Sequence, residues 1–242
     1  MIQWYHRRAR AVLLSVLVCT PLSVASAAGF DRGLQQKLFQ SAPGLDAEVL
    51  ISALDASRCA IRNGLNRPER LAVIDFSLPS SAKRLWIFDL NSGELLLNDL
   101  VAHGKKSGAD NATAFSNRNG SHQSSIGLFQ ANETYHGKHG YSLRLDGLEP
   151  GINDRARERA IVIHGADYVD PSWVATYGRI GRSLGCPAVS QQVITEVVDN
   201  LKGGQFVFSY YPDRDWLGSS SYLNCEVSQV AGSKVQAGNE RI

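Results

Sequence analysis

Cysteine is scarce in this chain of 242 residues, with four in all, Cys19, Cys59, Cys186 and Cys225, and methionine occurs once. So few thiols exclude a disulfide-dense scaffold. Long apolar runs are scarce too. The one at Ala11 to Val24 contains Pro21 and falls short of the ~20 residues a membrane span needs. His6, Arg7, Arg8 and Arg10 precede it and Ala25-Ser26-Ala27 follows it. Positive residues, a short apolar core and a small-x-small site make residues 1–28 an expected secretory signal peptide, which leaves no stable membrane anchor once cleaved. Val18 in front of Cys19 is the wrong residue for a lipid-attachment site. A basic surplus is missing as well. Without Arg7, Arg8 and Arg10 the formal charge falls from +2 to −1, and no basic stripe carries interleaved aromatics. Nucleic acid is therefore not an expected partner.

Export bears on the remaining cysteines. Cys59, Cys186 and Cys225 are odd in number, which in an oxidising compartment implies one unpaired thiol. The expected pair is Cys59 with Cys225, leaving Cys186 free. The alternative is that Cys59 and Cys225 are simply buried thiols.

Apolar spacing divides the rest. Residues 29–67 read as a helical segment: Leu34, Leu38 and Phe39 space a first helix. Val49, Leu50, Ala53, Leu54, Cys59, Ala60 and Ile61 space a second, with Asp46 as its N-cap and Gly64 as its stop. Residues 68–214 read as a β-rich domain. Its expected strands are Leu71–Phe76, Arg84–Leu90, Glu94–Ala102, Ile126–Gln130, Tyr141–Leu145, Arg159–Ile163 and Gln205–Tyr211. Residues 103–140, rich in Gly, Ser, Asn, Lys and His, are too long for an ordinary loop and point to function. Residues 215–242 form a polar tail, expected to be loosely ordered. The fold class is mostly β with a few helices (α+β), without internal repeats.

The chemistry concentrates at Arg182-Ser183-Leu184-Gly185-Cys186-Pro187. Val189, Val193, Ile194, Val197, Val198 and Leu201 share one helical face beyond it, and Pro187 suits a first helical position. This spacing predicts Cys186 at a helix N-terminus, where the dipole lowers a thiol's pKa. The apolar run Ala160 to Ile163 ends in His164-Gly165, and a histidine there is the base such a thiol needs. Gly185 allows close approach to a substrate, and backbone N–H groups at Ser183, Gly185, Cys186 and Gly165 are candidate oxyanion donors. Taken singly, His164 reads as a core histidine and Cys186 as a small buried hydrophobe. Together they read as base and nucleophile.

At these residues the chain resembles the YkuD-like L,D-transpeptidases, whose signature is His-Gly at a strand end followed by Ser/Thr-x-Gly-Cys. It is similar above all to the branch called murein L,D-transpeptidase catalytic domain proteins. The likeness runs from about residue 70 to 212 through Ala102-His103-Gly104-Lys105, Phe115-Ser116-Asn117, Gly137-Lys138-His139-Gly140, Ser142-Leu143-Arg144-Leu145 and Asn153-Asp154-Arg155-Ala156-Arg157. The resemblance implies a β-sandwich or barrel core and an exported enzyme of the cell wall. Its substrates are peptidoglycan stem peptides. Cys186 attacks the carbonyl of the third stem residue, His164 moves the proton, and a thioester forms that an amine resolves into a cross-link. Water in place of the amine makes the same site an L,D-carboxypeptidase. No cofactor is implied. Two departures stand out: Leu184 replaces a second histidine, and Ala188 replaces an Arg or Asn after the cysteine. Arg182, Arg179 and Arg144 are candidates to bind a substrate carboxylate instead. In the polar segment Ser124, Ser125, Tyr135, Lys138 and His139 are candidate cleft residues.

Two other readings are weaker. A zinc hydrolase would draw ligands from His136-x-x-His139 with His103 or His164, but the His-Glu-x-x-His helix is missing, so no metal is expected. A non-catalytic cell-wall binding module has no need of the paired Cys186 and His164.

Overall fold

The computed structural model describes residues 30–225; the expected signal peptide and residues 226–242 of the tail lie outside them. Helices α1 (Arg32–Ser41) and α2 (Ala47–Arg62) come first. Each starts on an aspartate whose carboxylate accepts a free backbone N–H: Asp31 from Leu34 at 2.6 Å, and Asp46 from Glu48 at 2.7 Å. The apolar stripe of α2 buries Val49, Leu50, Ala53 and Leu54. They join one continuous core with Leu71 and Val73 of the sheet.

The strands are β1 (Arg70–Asp75), β2 (Leu85–Asp89), β3 (Leu95–Asp99), β4 (Gly127–Gly137), β5 (Gly140–Gly147) and β6 (Val162–Gly165). Helix α3 (Pro171–Tyr177), the two-residue β7 (Ala188–Val189), α4 (Ile194–Leu201), β8 (Gln205–Tyr210) and α5 (Arg214–Ser219) complete the order. The eight strands form one mixed sheet, ordered β3-β2-β1-β8-β4-β5-β6-β7. The chain beyond β3 then reaches the far edge, with Ala102 bridging Ala188, so the sheet curls into a nearly closed barrel. Phe206 and Phe208 of β8, with Leu128 of β4, are fully buried. Each such side chain contributes roughly 1.5–3 kcal/mol.

Three expectations need correction. No helix follows Cys186 directly: Ala188 and Val189 stay extended because they pair in parallel with His164 and Gly165. The helix begins only at Ile194. The strand expected at Arg159–Ile163 begins instead at Val162, because Ala160 takes a left-handed conformation (φ +53°) that interrupts an extended run. The tail, expected to be loose from residue 215, carries α5, whose Trp216 is buried and donates its Nε1–H to Glu149 at 3.1 Å. Cys225, just beyond, is disulfide-bonded to Cys59 of α2, with Cα atoms 5.8 Å apart. Cys186 is a free thiol.

Candidate active site

Cys186 lies in a turn pinned from three sides. The Ser183 N–H donates to the His103 carbonyl at 2.9 Å, and the Lys105 N–H donates to the Ser183 carbonyl at 2.8 Å. Inside the turn, the Ser183 hydroxyl donates to the Cys186 carbonyl at 2.6 Å and accepts the Gly185 N–H at 3.0 Å. From behind, the Ser124 hydroxyl donates to the Gly185 carbonyl at 3.0 Å. Gly185 itself has φ +128°, and a Cβ there would stand 2.9 Å from the Gln123 carbonyl oxygen. Backbone conformation and space both demand glycine.

These bonds revise the expected oxyanion donors. The N–H groups of Gly185 and Ser183 are already spent inside the protein. Gly165 contributes a carbonyl, which lies 3.0 Å from His164 Nδ1. The Cys186 N–H bonds no other described residue and lies against its own sulfur.

Strand pairing brings His164 to the cysteine. With His164 opposite Ala188 in the parallel β6–β7 ladder, Cys186 stands two residues back along β7's approach, and both side chains line one cleft of about 410 Å³. A carbonyl can only accept, so the contact to Gly165 places the neutral ring's proton on Nδ1 and leaves Nε2 bare to take another. The His139 ring stacks on His164 with centroids 4.4 Å apart. Burial holds the His164 pKa below its ordinary 6.5; the Gly165 carbonyl opposes this, and the charges of His139 and Lys138 add to it. Burial likewise pushes the Cys186 thiol above its ordinary 9.0, against the Val162 N–H and the charges of Arg159 and Lys138. The resting pair near neutral pH is therefore a thiol and a neutral imidazole. The thiol donates to the Ala160 carbonyl at 3.6 Å.

The other candidates divide. Tyr135, Lys138, His139 and Arg182 line the cleft, the first three from the β4–β5 hairpin. Arg144 does not: it pairs with Glu133 at 3.4 Å and lies 4.6 Å over the Tyr135 ring. Arg179 donates to the Ile180 carbonyl at 2.9 Å. Arg182 is also tied down, donating to the carbonyls of Lys105 at 3.2 Å and Gly108 at 2.6 Å. Ser124 and Ser125 are buried and bonded internally, which makes them supports rather than cleft surface. His136 stacks on Tyr141, while buried His103 takes a hydrogen bond from Arg84 at 2.7 Å. Burial and the Arg84 charge push His103 down to about 4. No three or more metal-ligating side chains converge among the described residues.

Sequence reasoning missed two cleft residues, Arg159 and Tyr168. Arg159 Nη1 donates to the Ser116 carbonyl and to Ser125 Oγ, and Nη2 donates to Ser121 Oγ at 3.1 Å and to the Gln123 carbonyl at 2.7 Å. Burial next to the thiol raises the Tyr168 phenol to about 12. Both residues sit in short irregular segments where spacing carries no signal.

Several solved structures are similar to the chain at low sequence identity. An L,D-transpeptidase from Mycobacterium smegmatis is 16% identical, with 59% of each chain covered and a TM-score of 0.38. L,D-transpeptidase 3 from Mycobacterium tuberculosis is 11% identical over 60% of this chain and 62% of its own, at TM-score 0.39. An L,D-transpeptidase from Xylanimonas cellulosilytica is 16% identical over 74% and 91%, at TM-score 0.35. The chain thus spans less than two thirds of the two mycobacterial structures. Comparison with curated proteins returns no match. A family model of the L,D-transpeptidase catalytic domain, YkuD_2, matches residues 41–210, well over half of the sequence. The chain belongs to this family of L,D-transpeptidase catalytic domains.

Proposed function

We propose that this protein is an exported L,D-transpeptidase that works on peptidoglycan stem peptides in the periplasm or cell envelope. The observation that carries the reading is the free Cys186 thiol sharing a cleft with His164, whose Nε2 is bare. Cys186 attacks the carbonyl of the third stem residue as His164 Nε2 takes the thiol proton. The Cys186 N–H, uncommitted to any other described residue, faces the developing oxyanion. Collapse of the tetrahedral intermediate breaks the amide bond, and His164 returns the proton to the departing D-amino acid. The thioester then passes its acyl group to an amine. The disulfide between Cys59 and Cys225 suits an oxidising compartment.

Incubation with a purified tetrapeptide muropeptide tests this. Intact-mass analysis is expected to show an acyl adduct on Cys186, and the products a cross-linked dimer. A trimmed tripeptide without dimer would make the enzyme an L,D-carboxypeptidase. Binding without adduct or product would make it a binding module. Cys186→Ala is expected to abolish adduct and product together.

A further inference from the structure

The thiol of Cys186 lacks the helix dipole that its sequence neighbours suggest, yet its cleft is one-sided in charge. Tyr135, Lys138 and His139 face it from the β4–β5 hairpin, His164 from β6, Tyr168 from the segment after β6, and Arg182 from its own turn. Arg159 completes the set, and no carboxylate lines the cleft. Lys138 sits exposed at a hairpin tip, and Arg182 is held back by two carbonyls. Arg159 differs from both.

We infer that Arg159 is a positioning residue for the nucleophile: its fixed, unneutralised guanidinium stabilises the Cys186 thiolate during acyl transfer. This inference rests on Cys186 being the nucleophile. Arg159 is half-buried, and its four Nη hydrogens are all taken by neutral oxygens: two carbonyls and two hydroxyls. Arg58, Arg70, Arg144, Arg155 and Arg157 each pair with a carboxylate; Arg159, like the more deeply buried Arg84, pairs with none among the described residues, and unlike Arg84 it lines the cleft that holds Cys186. A desolvated cation without a counter-charge is costly, and such groups persist where a charge develops beside them. The guanidinium is also close to the nucleophile's backbone: a Cβ on Gly185 would lie 3.6 Å from Nη2. The adjacent Ala160, in its rarely populated left-handed conformation, turns its carbonyl to the Cys186 sulfur. Two consecutive residues thus serve the thiol, one by aiming it and one by charge. With its Nη hydrogens spent, Arg159 has no open fork for a substrate carboxylate. Proton transfer from Sγ to His164 Nε2 creates the negative charge that Arg159 meets, and the neutral thioester then releases that attraction.

The test is the pH dependence of Cys186 alkylation by iodoacetamide in the full chain, read peptide by peptide by mass spectrometry. Arg159→Met and Arg159→Gln are expected to raise the midpoint by at least ~1 pH unit, the effect of a lost opposite charge within a few ångströms. Arg159→Lys, which keeps the charge, is expected to return the midpoint most of the way to wild type. Ser121→Ala, which removes the acceptor of the Gln123 N–H and of one Arg159 Nη2 hydrogen but no charge, leaves the midpoint near wild type. A folded neutral variant with a wild-type midpoint overturns the inference, as does a Ser121→Ala shift of equal size. If neither neutral variant folds, Arg159→Lys decides: a midpoint close to wild type supports the charge role, and a full-unit displacement overturns it. Continued acyl transfer by Cys186→Ala would instead sink the nucleophile reading, whatever Arg159 does to the thiol.

Discussion

Replacing Gly185 by alanine adds one methyl group next to Cys186, and two separate costs follow from the geometry. At φ +128° the backbone lies where side-chain-bearing residues are rarely found, which costs of the order of 1–3 kcal/mol. The new Cβ would also stand 2.9 Å from the Gln123 carbonyl oxygen, a backbone atom that cannot rotate away. That carbonyl accepts Arg159 Nη2 at 2.7 Å, so relieving the contact displaces the guanidinium as well. Together these give a loss of roughly 2–4 kcal/mol, within the range for strain at a special backbone site. For a protein of this size each kcal/mol lowers Tm by ~2–4 °C, so a fall of about 4–16 °C is expected. Gly151 provides the control: its φ is +78°, in the milder left-handed region, and a Cβ there meets nothing within 4 Å. Gly151→Ala should cost only about 1 kcal/mol. Chemical unfolding followed by circular dichroism measures both variants. Cys186 alkylation at one pH reports the site, and should slow at least ~10-fold in Gly185→Ala if about 1.4 kcal/mol of the strain falls on the thiol's surroundings. If the two alanine variants unfold within 1 kcal/mol of each other, the assigned strain is wrong.

The acid limb of kcat/KM should lie below pH 6.5, because the base must be neutral and burial depresses the His164 pKa; Lys138→Met should move the limb upward, and a wild-type limb above 6.5 would refute the assignment. Glu149→Ala should cost about 3–6 kcal/mol in urea unfolding, since the buried Leu128 N–H and Trp216 Nε1–H lose their acceptor and the Ser220 hydroxyl must turn elsewhere. Cys59→Ser with Cys225→Ser should lower stability by up to about 5 kcal/mol by the chain-entropy relation, as the bond spans 166 residues; a change under 1 kcal/mol would show that it constrains little.

The strands of the barrel were legible where both faces are buried, as in β1, β2 and β8, because a short continuous run of aliphatic and aromatic residues marks them. The outer half of β4 was not: Asn132, Glu133, Thr134 and His136 sit on a hairpin whose end is partly exposed, so no apolar period marks it. Cys186 and His164 were visible as residues, but the element carrying the cysteine was misread. Val189 falls in step with Val193 and Val197 on a helical wheel, yet its place is set by pairing with Gly165, far off in sequence. Tertiary pairing overrode local spacing. Arg159 reads as the first residue of a strand over Arg159–Ile163, and nothing in the arginine-dense run before it, Arg155 and Arg157 included, marks it for the cleft. Only the loop at residues 116–125, folded around its guanidinium, sets it apart.

The position of β8 has a consequence for how the chain reaches its native state. This last strand lies between β1 and β4, parallel to the first and antiparallel to the second. The β1–β2–β3 meander and the β4–β5–β6 meander can each form from neighbouring sequence, but β1 and β4 stay unjoined until residues 205–210 arrive between them. Contacts that pair Leu71 with Phe206 are among the most distant in the chain, and such pairings slow folding. During synthesis β1 must wait with one edge open, at risk of pairing with another copy. His164 and Cys186 both lie beyond β5, so a chain stopped before β6 holds neither of them.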